Sequence, residues 1–182
     1  MLHRVTAPHA LAEFGSTGAI GPLHCGASLN DIAATLWPPW DIGRVSRRRR
    51  WPHLFSYGDV ELCVCRCRLI PSICVQTWHD TISLPHPQSG TIVSHRGHLT
   101  YPQITSALDA TGFRWQPITL NQPPGQTALQ AEPTGATFTF RNAGTPEPLL
   151  EKAGLWTSTH SCMPPAPDAP DDGFGAATVR NT

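Results

Sequence analysis

"SLNDIAATL", Ser28 to Leu36, and "TYPQITSAL", Thr100 to Leu108, are two segments of one design in a chain of 182 residues. Each opens on a hydroxyl residue and a bulky apolar one, carries Asp31 or Gln103 in the first turn, then Ile32 or Ile104, and closes on a leucine. A hydroxyl at the cap accepts the otherwise unpaired amides of the first turn, and a carboxylate such as Asp31 suits the positive end of the helix dipole. Leu29, Ile32, Ala33 and Leu36 recur at helical spacing, so the first segment predicts a helix with one buried face. "WPPW", Trp37 to Trp40, ends it, because Pro38 and Pro39 lack amide donors and disfavour helix in the residue before each.

Downstream, "GDVELCVC" (Gly58 to Cys65) and "TGATFTFR" (Thr134 to Arg141) form a second matching pair, setting Val60, Leu62 and Val64 against Ala136, Phe138 and Phe140. The helical segments lie 72 residues apart and the strands 76. Two matches in the same order at nearly one spacing predict an internal duplication of a helix-then-strands unit. The expected fold is α+β, with two tandem copies of a helix followed by antiparallel strands and the helices on one face of the sheet. Residues 1–19 would hold a short helix from Pro8 to Phe14, ended by Gly15, and a linker. Residues 20–80 form the first unit, 81–96 a connector rich in proline, glycine and histidine, 97–156 the second unit, and 157–182 a disordered tail with too little apolar content to fold. Within the first unit, Tyr57-Gly58-Asp59 is turn chemistry between two strands, the second running from Val60 to Arg68, and "SICVQTW" is a third. In the second unit "PEPLLEKAGLW" reads as a short helix capped by Gly154.

Charge supplies no partner class. Thirteen basic residues balance thirteen acidic ones, so no global field favours nucleic acid or a membrane surface. Twelve of the basic residues are arginine, and the 19 prolines beside them fit a compositional bias. The N-terminal stretch has no apolar run of signal-peptide length, and no stretch approaches the ~20 apolar residues of a membrane span. A soluble, cytoplasmic chain is expected, and in a reducing compartment its six cysteines are thiols or metal ligands before they are disulfides.

"ELCVCRCRLIPSICVQTW", Glu61 to Trp78, holds Cys63, Cys65, Cys67 and Cys74. Alternation along a strand sends Glu61 and the first three cysteines to one side and Val60, Leu62 and Val64 to the other. A turn over Leu69 and Ile70, or from Arg68 to Pro71, would set Cys65 opposite Cys74 and Val64 opposite Val75. Same-face neighbours on a strand start nearly 7 Å apart, against the ~3.8 Å between sulfurs on tetrahedral zinc. The spacing therefore argues against metal, and half-buried packing thiols are expected instead. Trp78 shares the cysteine parity and can anchor an interface, whereas most of the tryptophans are expected as core or helix–sheet packing residues.

Arg44, Arg47, Arg48, Arg49 and Arg50, followed by Trp51 and His53, make the strongest local charge, as a loop in a region of net +4 from Asp41 to Ile70. Guanidinium forks bind carboxylate or phosphate, and Trp51 could stack on a base. The chain has no Gly-rich phosphate loop, nucleophile elbow or His-Glu-x-x-His pattern, and the histidines of "SHRGH" are not spaced for a helix-borne metal.

The pair "GASLNDIAATL" with "YGDVELCVCR", and again "GHLTYPQITSAL" with "TGATFTFR", resembles the repeat unit of the beta-lactamase inhibitor protein family and of small outer-membrane assembly lipoproteins. The resemblance spans about residues 20–156 and implies a sheet with helices on one face and an open, concave face that binds another protein. Those relatives are exported and carry a disulfide in each copy, so the architecture and the binding face transfer here without the target. The expected function is a non-catalytic protein-binding module, of inhibitor or immunity type, with no catalytic residue, cofactor or metal. Its face would be Glu61, Cys63, Cys65, Cys67, Cys74, Gln76 and Trp78, with Arg47 to Arg50 and Trp51 at the edge. The alternatives are a nucleic-acid-associated protein using Arg47 to Trp51, whose binding would weaken steeply with salt, and an enzyme with a reactive cysteine.

Overall fold

Residues 6–86, 89–119, 124–157 and 160–162 are described by the structure, a computed structural model. Both cap residues act as the sequence predicts. In α2 (Leu29–Thr35) the Ser28 hydroxyl accepts the Asp31 amide at 3.4 Å. In α3 (Tyr101–Ala110) Thr100 and Gln103 form a reciprocal capping box, with the Thr100 amide donating to the Gln103 side chain at 2.9 Å. The first helix, α1 (Ala7–Thr17), runs three residues beyond the expected Phe14 and ends at Gly18, whose φ of 74° suits a left-handed cap. Gly15 lies inside it because the contact there leaves no room for more: a β-carbon would stand 3.0 Å from Leu108 and 3.2 Å from Phe138.

The protein is α+β and its main sheet is antiparallel. The strands are β1 (Ala19–Ile20), β2 (Leu23–His24), β3 (Trp40–Ser46), β4 (Arg49–Tyr57), β5 (Val60–Val64), β6 (Ser72–Gln76), β7 (Thr81–Pro85), β8 (Ile92–Arg96), β9 (Trp115–Ile118), β10 (Gln126–Ala131), β11 (Thr137–Arg141) and β12 (Leu149–Trp156). Eight of them form one sheet in the order β3-β4-β5-β6-β12-β11-β10-β9, so two four-strand meanders meet along their last strands. Alternate residues of these strands, Val60, Leu62, Val64, Ile73 and Val75 in the first meander and Phe138, Phe140, Leu150 and Ala153 in the second, are buried in one core with Leu11, Phe14, Leu29, Ile32, Ile104 and Leu108 of the helices.

Three expectations need correction. The expected Pro/Gly/His connector, residues 81–96, holds regular structure: β7 and β8 pair as a hairpin, Ile82 and Leu84 are fully buried, and the Asp59 carboxylate accepts the Ser83 amide at 2.6 Å. Pro85, Pro87 and Gly90 interrupt the stretch, yet the alternating "TISL" was the stronger signal. "PLLEKAGLW" is no helix: β12 is hydrogen-bonded to β6 on one side and β11 on the other, and those two ladders outweigh its local helix preference. The tryptophans are less buried than expected: none of the six is fully buried, although Trp51 and Trp115 pack against the core and Trp37 against Tyr57. Trp40, Trp78 and Trp156 are 75%, 58% and 70% exposed.

Candidate functional site

The register of β5 against β6 decides where the cysteines go. Val60 faces Val75, Glu61 faces Cys74, and Cys63 faces Ser72. The expected Cys65-to-Cys74 and Val64-to-Val75 pairings are therefore wrong, because the reversal begins earlier. The Cys65 amide donates to the Leu69 carbonyl and the Arg68 amide returns to the Cys65 carbonyl, with Arg68 at a φ of 62°. Leu69 and Ile70 are then drawn off to the cap segment of α2, where Ser28 bridges Leu69 and the Ile70 amide donates to Ala27. Each strand slips by two residues, which preserves side-chain parity. Glu61, Cys63, Cys74 and Gln76 stay together on the face opposite the core, as expected, while Cys65 and Cys67 leave it for the turn.

Directly opposed residues share a face, so the ladders carry this surface across the sheet. Trp40 lies opposite Ser56, which lies opposite Glu61. Cys74 opposes Gly154 and Ser72 opposes Trp156. The face therefore displays two exposed tryptophans that the sequence did not single out. Next to them, a cleft is lined by Ile42, Ser56, Asp59, Glu61, Gln76, Trp78 and His79, and the Trp78 indole donates to Gln76 at 3.3 Å. In the second meander the surface is more closed: Arg141 pairs with Glu151, which also accepts from Gln126, and Thr139 is buried.

The thiols on this face are poor nucleophiles. Burial pushes Cys63 up from its usual range, and burial followed by the neighbouring Glu61 charge pushes Cys74 up. Neither has the depressed pKa that a reactive cysteine needs.

The arginine stretch is not a loop but the tip of the β3–β4 hairpin, with Arg47 and Arg48 at the turn and Arg49 and Arg50 opening β4. Arg44, Arg47, Arg48 and Arg49 are exposed. Trp51 is half-buried against the core with the Arg68 guanidinium 4.8 Å from its ring centre, so that ring is already stacked.

A second constellation was missed. Cys65, Cys67, His160 and Cys162 bring one donor atom each to within 4.8 Å of one another, and His160 Nε2 lies 3.3 Å from Cys162 Sγ. The strand spacing used to argue against metal does not apply to Cys65 and Cys67, because they sit on the turn after β5 rather than on the strand. The other pair lies beside the end of β12, where Trp156 opposes Ser72 and the Thr157 amide donates to Pro71, and His160 and Cys162 stand next to the cysteine turn. Most of the expected tail lies outside the described residues. The "THSC" stretch within it was the only local signal. No family model matches the chain, and no curated protein or solved structure does either.

Proposed function

We propose that the chain is a duplicated helix-and-meander unit with its helices on one face of the sheet, and that it is a protein-binding module, of inhibitor or immunity type, acting through the opposite face. The duplication is supported by matching backbone clamps. In the first half the Leu29 amide donates to Arg68 and the Ile70 amide to Ala27; in the second the Tyr101 amide donates to Pro148 and the Leu150 amide to Leu99. Ser28 bridges Leu69 as Thr100 bridges Leu149, and the residues two before the caps, Gly26 and His98, both have positive φ. On the cap side, from Gly26 to Leu29 against His98 to Tyr101, these correspondences keep the 72-residue offset found between the helical segments, while their partners Arg68, Leu69 and Ile70 match Pro148, Leu149 and Leu150 at an offset of 80.

The observation that carries the binding reading is a cleft lined by Trp78, Glu61 and Gln76 on a sheet face that also displays the exposed Trp40 and Trp156. Large aromatic side chains rimmed by polar groups are the usual anchors of protein interfaces, and leaving them in water is unfavourable otherwise. The resemblance to the inhibitor family points to the same face. Capture of partners on the immobilised chain tests this: Trp40→Ala with Trp78→Ala should release partners that the native chain holds, while Arg47→Ser with Arg48→Ser should retain them. If the tryptophan variant still holds every partner, the reading fails. If the arginine variant alone releases them and binding falls steeply with salt, the hairpin tip is a polyanion site instead.

A further inference from the structure

We propose that Cys65, Cys67, His160 and Cys162 form a closed tetrahedral zinc site that fastens the segment after β12 to the turn after β5. Four donors of the right type converge from two pieces of chain far apart in sequence, each contributing a ligand-x-ligand pair. In a tetrahedral site with Zn–S near 2.3 Å and Zn–N near 2.0 Å, sulfurs stand about 3.8 Å apart and a sulfur and a nitrogen about 3.6 Å. The observed separations, at most 4.8 Å and 3.3 Å for His160 to Cys162, differ from these by an ångström or less, within reach of side-chain rotation. Three thiolates and one imidazole are a soft-to-borderline set, which suits zinc and not calcium or magnesium.

The surroundings fit the charge of such a complex. Three thiolates around a divalent ion leave one net negative charge, and Arg66 and Arg68 flank the ligands in sequence. With four protein ligands no position is open for water or substrate, so the ion is structural rather than catalytic. The three thiols release their protons to the medium when zinc binds, His160 ligates as a neutral imidazole through its unprotonated ring nitrogen, and no redox change is involved. The proposal is independent of the binding face: Glu61, Gln76 and Trp78 contribute nothing to it.

The test uses the full chain, expressed with zinc and desalted, with metal content read by mass spectrometry and cobalt substitution read by absorption. The expected result is one zinc per chain and a cobalt spectrum with thiolate-to-metal and tetrahedral ligand-field bands. Cys65→Ser, Cys67→Ser, His160→Ala and Cys162→Ser should each lose the tightly held ion, whereas Cys63→Ser and Cys74→Ser should keep it. His160 and Cys162 lie outside the hydrophobic core, so their variants are expected to retain the native circular dichroism and separate metal loss from unfolding. Absence of zinc from the native chain would overturn the proposal. So would zinc that survives in the folded His160 and Cys162 variants, or a Cys65-to-Cys162 disulfide in chain prepared under reducing, zinc-replete conditions.

Discussion

The two meanders of the large sheet share a core and differ in the turns and side chains that they expose. In the first, β5 sends Leu62 and Val64 inward and ends in a turn of cysteines and arginines; in the second, β11 sends Phe138 and Phe140 inward and ends in "NAGTPEP", with no thiol at all. The helix caps and the backbone clamps beside them are alike in both halves. What is alike is what the fold needs, namely caps, clamps and alternating apolar side chains. What differs, the thiol turn and the exposed tryptophans, is where a specialised role can reside, because no packing requirement accounts for it.

This contrast can be broken most forcefully in the core. Phe138→Ala removes a fully buried ring that sits on Gly15 of α1 and is expected to cost about 3–5 kcal/mol, with Leu62→Ala in the other meander costing about 2–5 kcal/mol. Urea unfolding measures both, and a silent result at either position would mean that the halves do not share one core. Alkaline pH should reveal the next effect. Burial holds the Tyr57 phenol at about 12 against an ordinary 10.0, so the folded chain keeps a proton that the unfolded chain releases. Its contribution is fully present below pH 10 and is lost as pH rises toward 12, a fall of roughly 2–3 kcal/mol. Urea midpoints followed across that range should decline for the native chain and decline less for Tyr57→Phe.

The caps sharpen the comparison at a smaller scale. Thr100→Ala breaks a reciprocal capping box and should cost about 1–2 kcal/mol, whereas Ser28→Ala, which loses one long hydrogen bond, should cost about 0.5–1 kcal/mol. Thermal unfolding of the two variants gives the ranking directly, and a larger loss at Ser28 would reverse it. The smallest effects belong to the surface: Trp78→Ala and Arg48→Ser should each change stability by less than about 0.5 kcal/mol. A larger loss at Trp78 would make it a packing residue and weaken its assignment to an interface.

Local chemistry that acts over a few residues was legible in the sequence. The caps at Ser28 and Thr100, the turn at Tyr57-Gly58-Asp59 and the alternation of Val60, Leu62 and Val64 depend only on their immediate neighbours, and all are present. Gly15, β12 and the register of β6 were not legible, because partners remote in the chain decide them: Phe138 for the glycine, two flanking strands for "LLEKAGLW", and the α2 cap segment for Leu69 and Ile70. The open face was half legible. Parity placed Glu61, Cys63, Cys74 and Gln76 correctly even with the wrong register, but only the ladders could bring Trp40 and Trp156 onto the same surface. The four-donor cluster was the least legible, since its donors come from two pieces of chain far apart in sequence and no short motif spans them.

The junction of β6 with β12 also bears on how the chain reaches this structure. Within each meander, successive strands are hairpin neighbours or nearly so, and their contacts close over short distances in sequence. Cys74 and Gly154 meet across ~80 residues, so that pairing carries the loop-closure entropy of half the protein. The Thr77 hydroxyl, buried and bonded to the Leu150 carbonyl at 2.8 Å, forms only once both sides are in place. The longest-range strand pairing of the main sheet therefore lies on this one line, and the loop-closure cost of joining the two meanders is concentrated there.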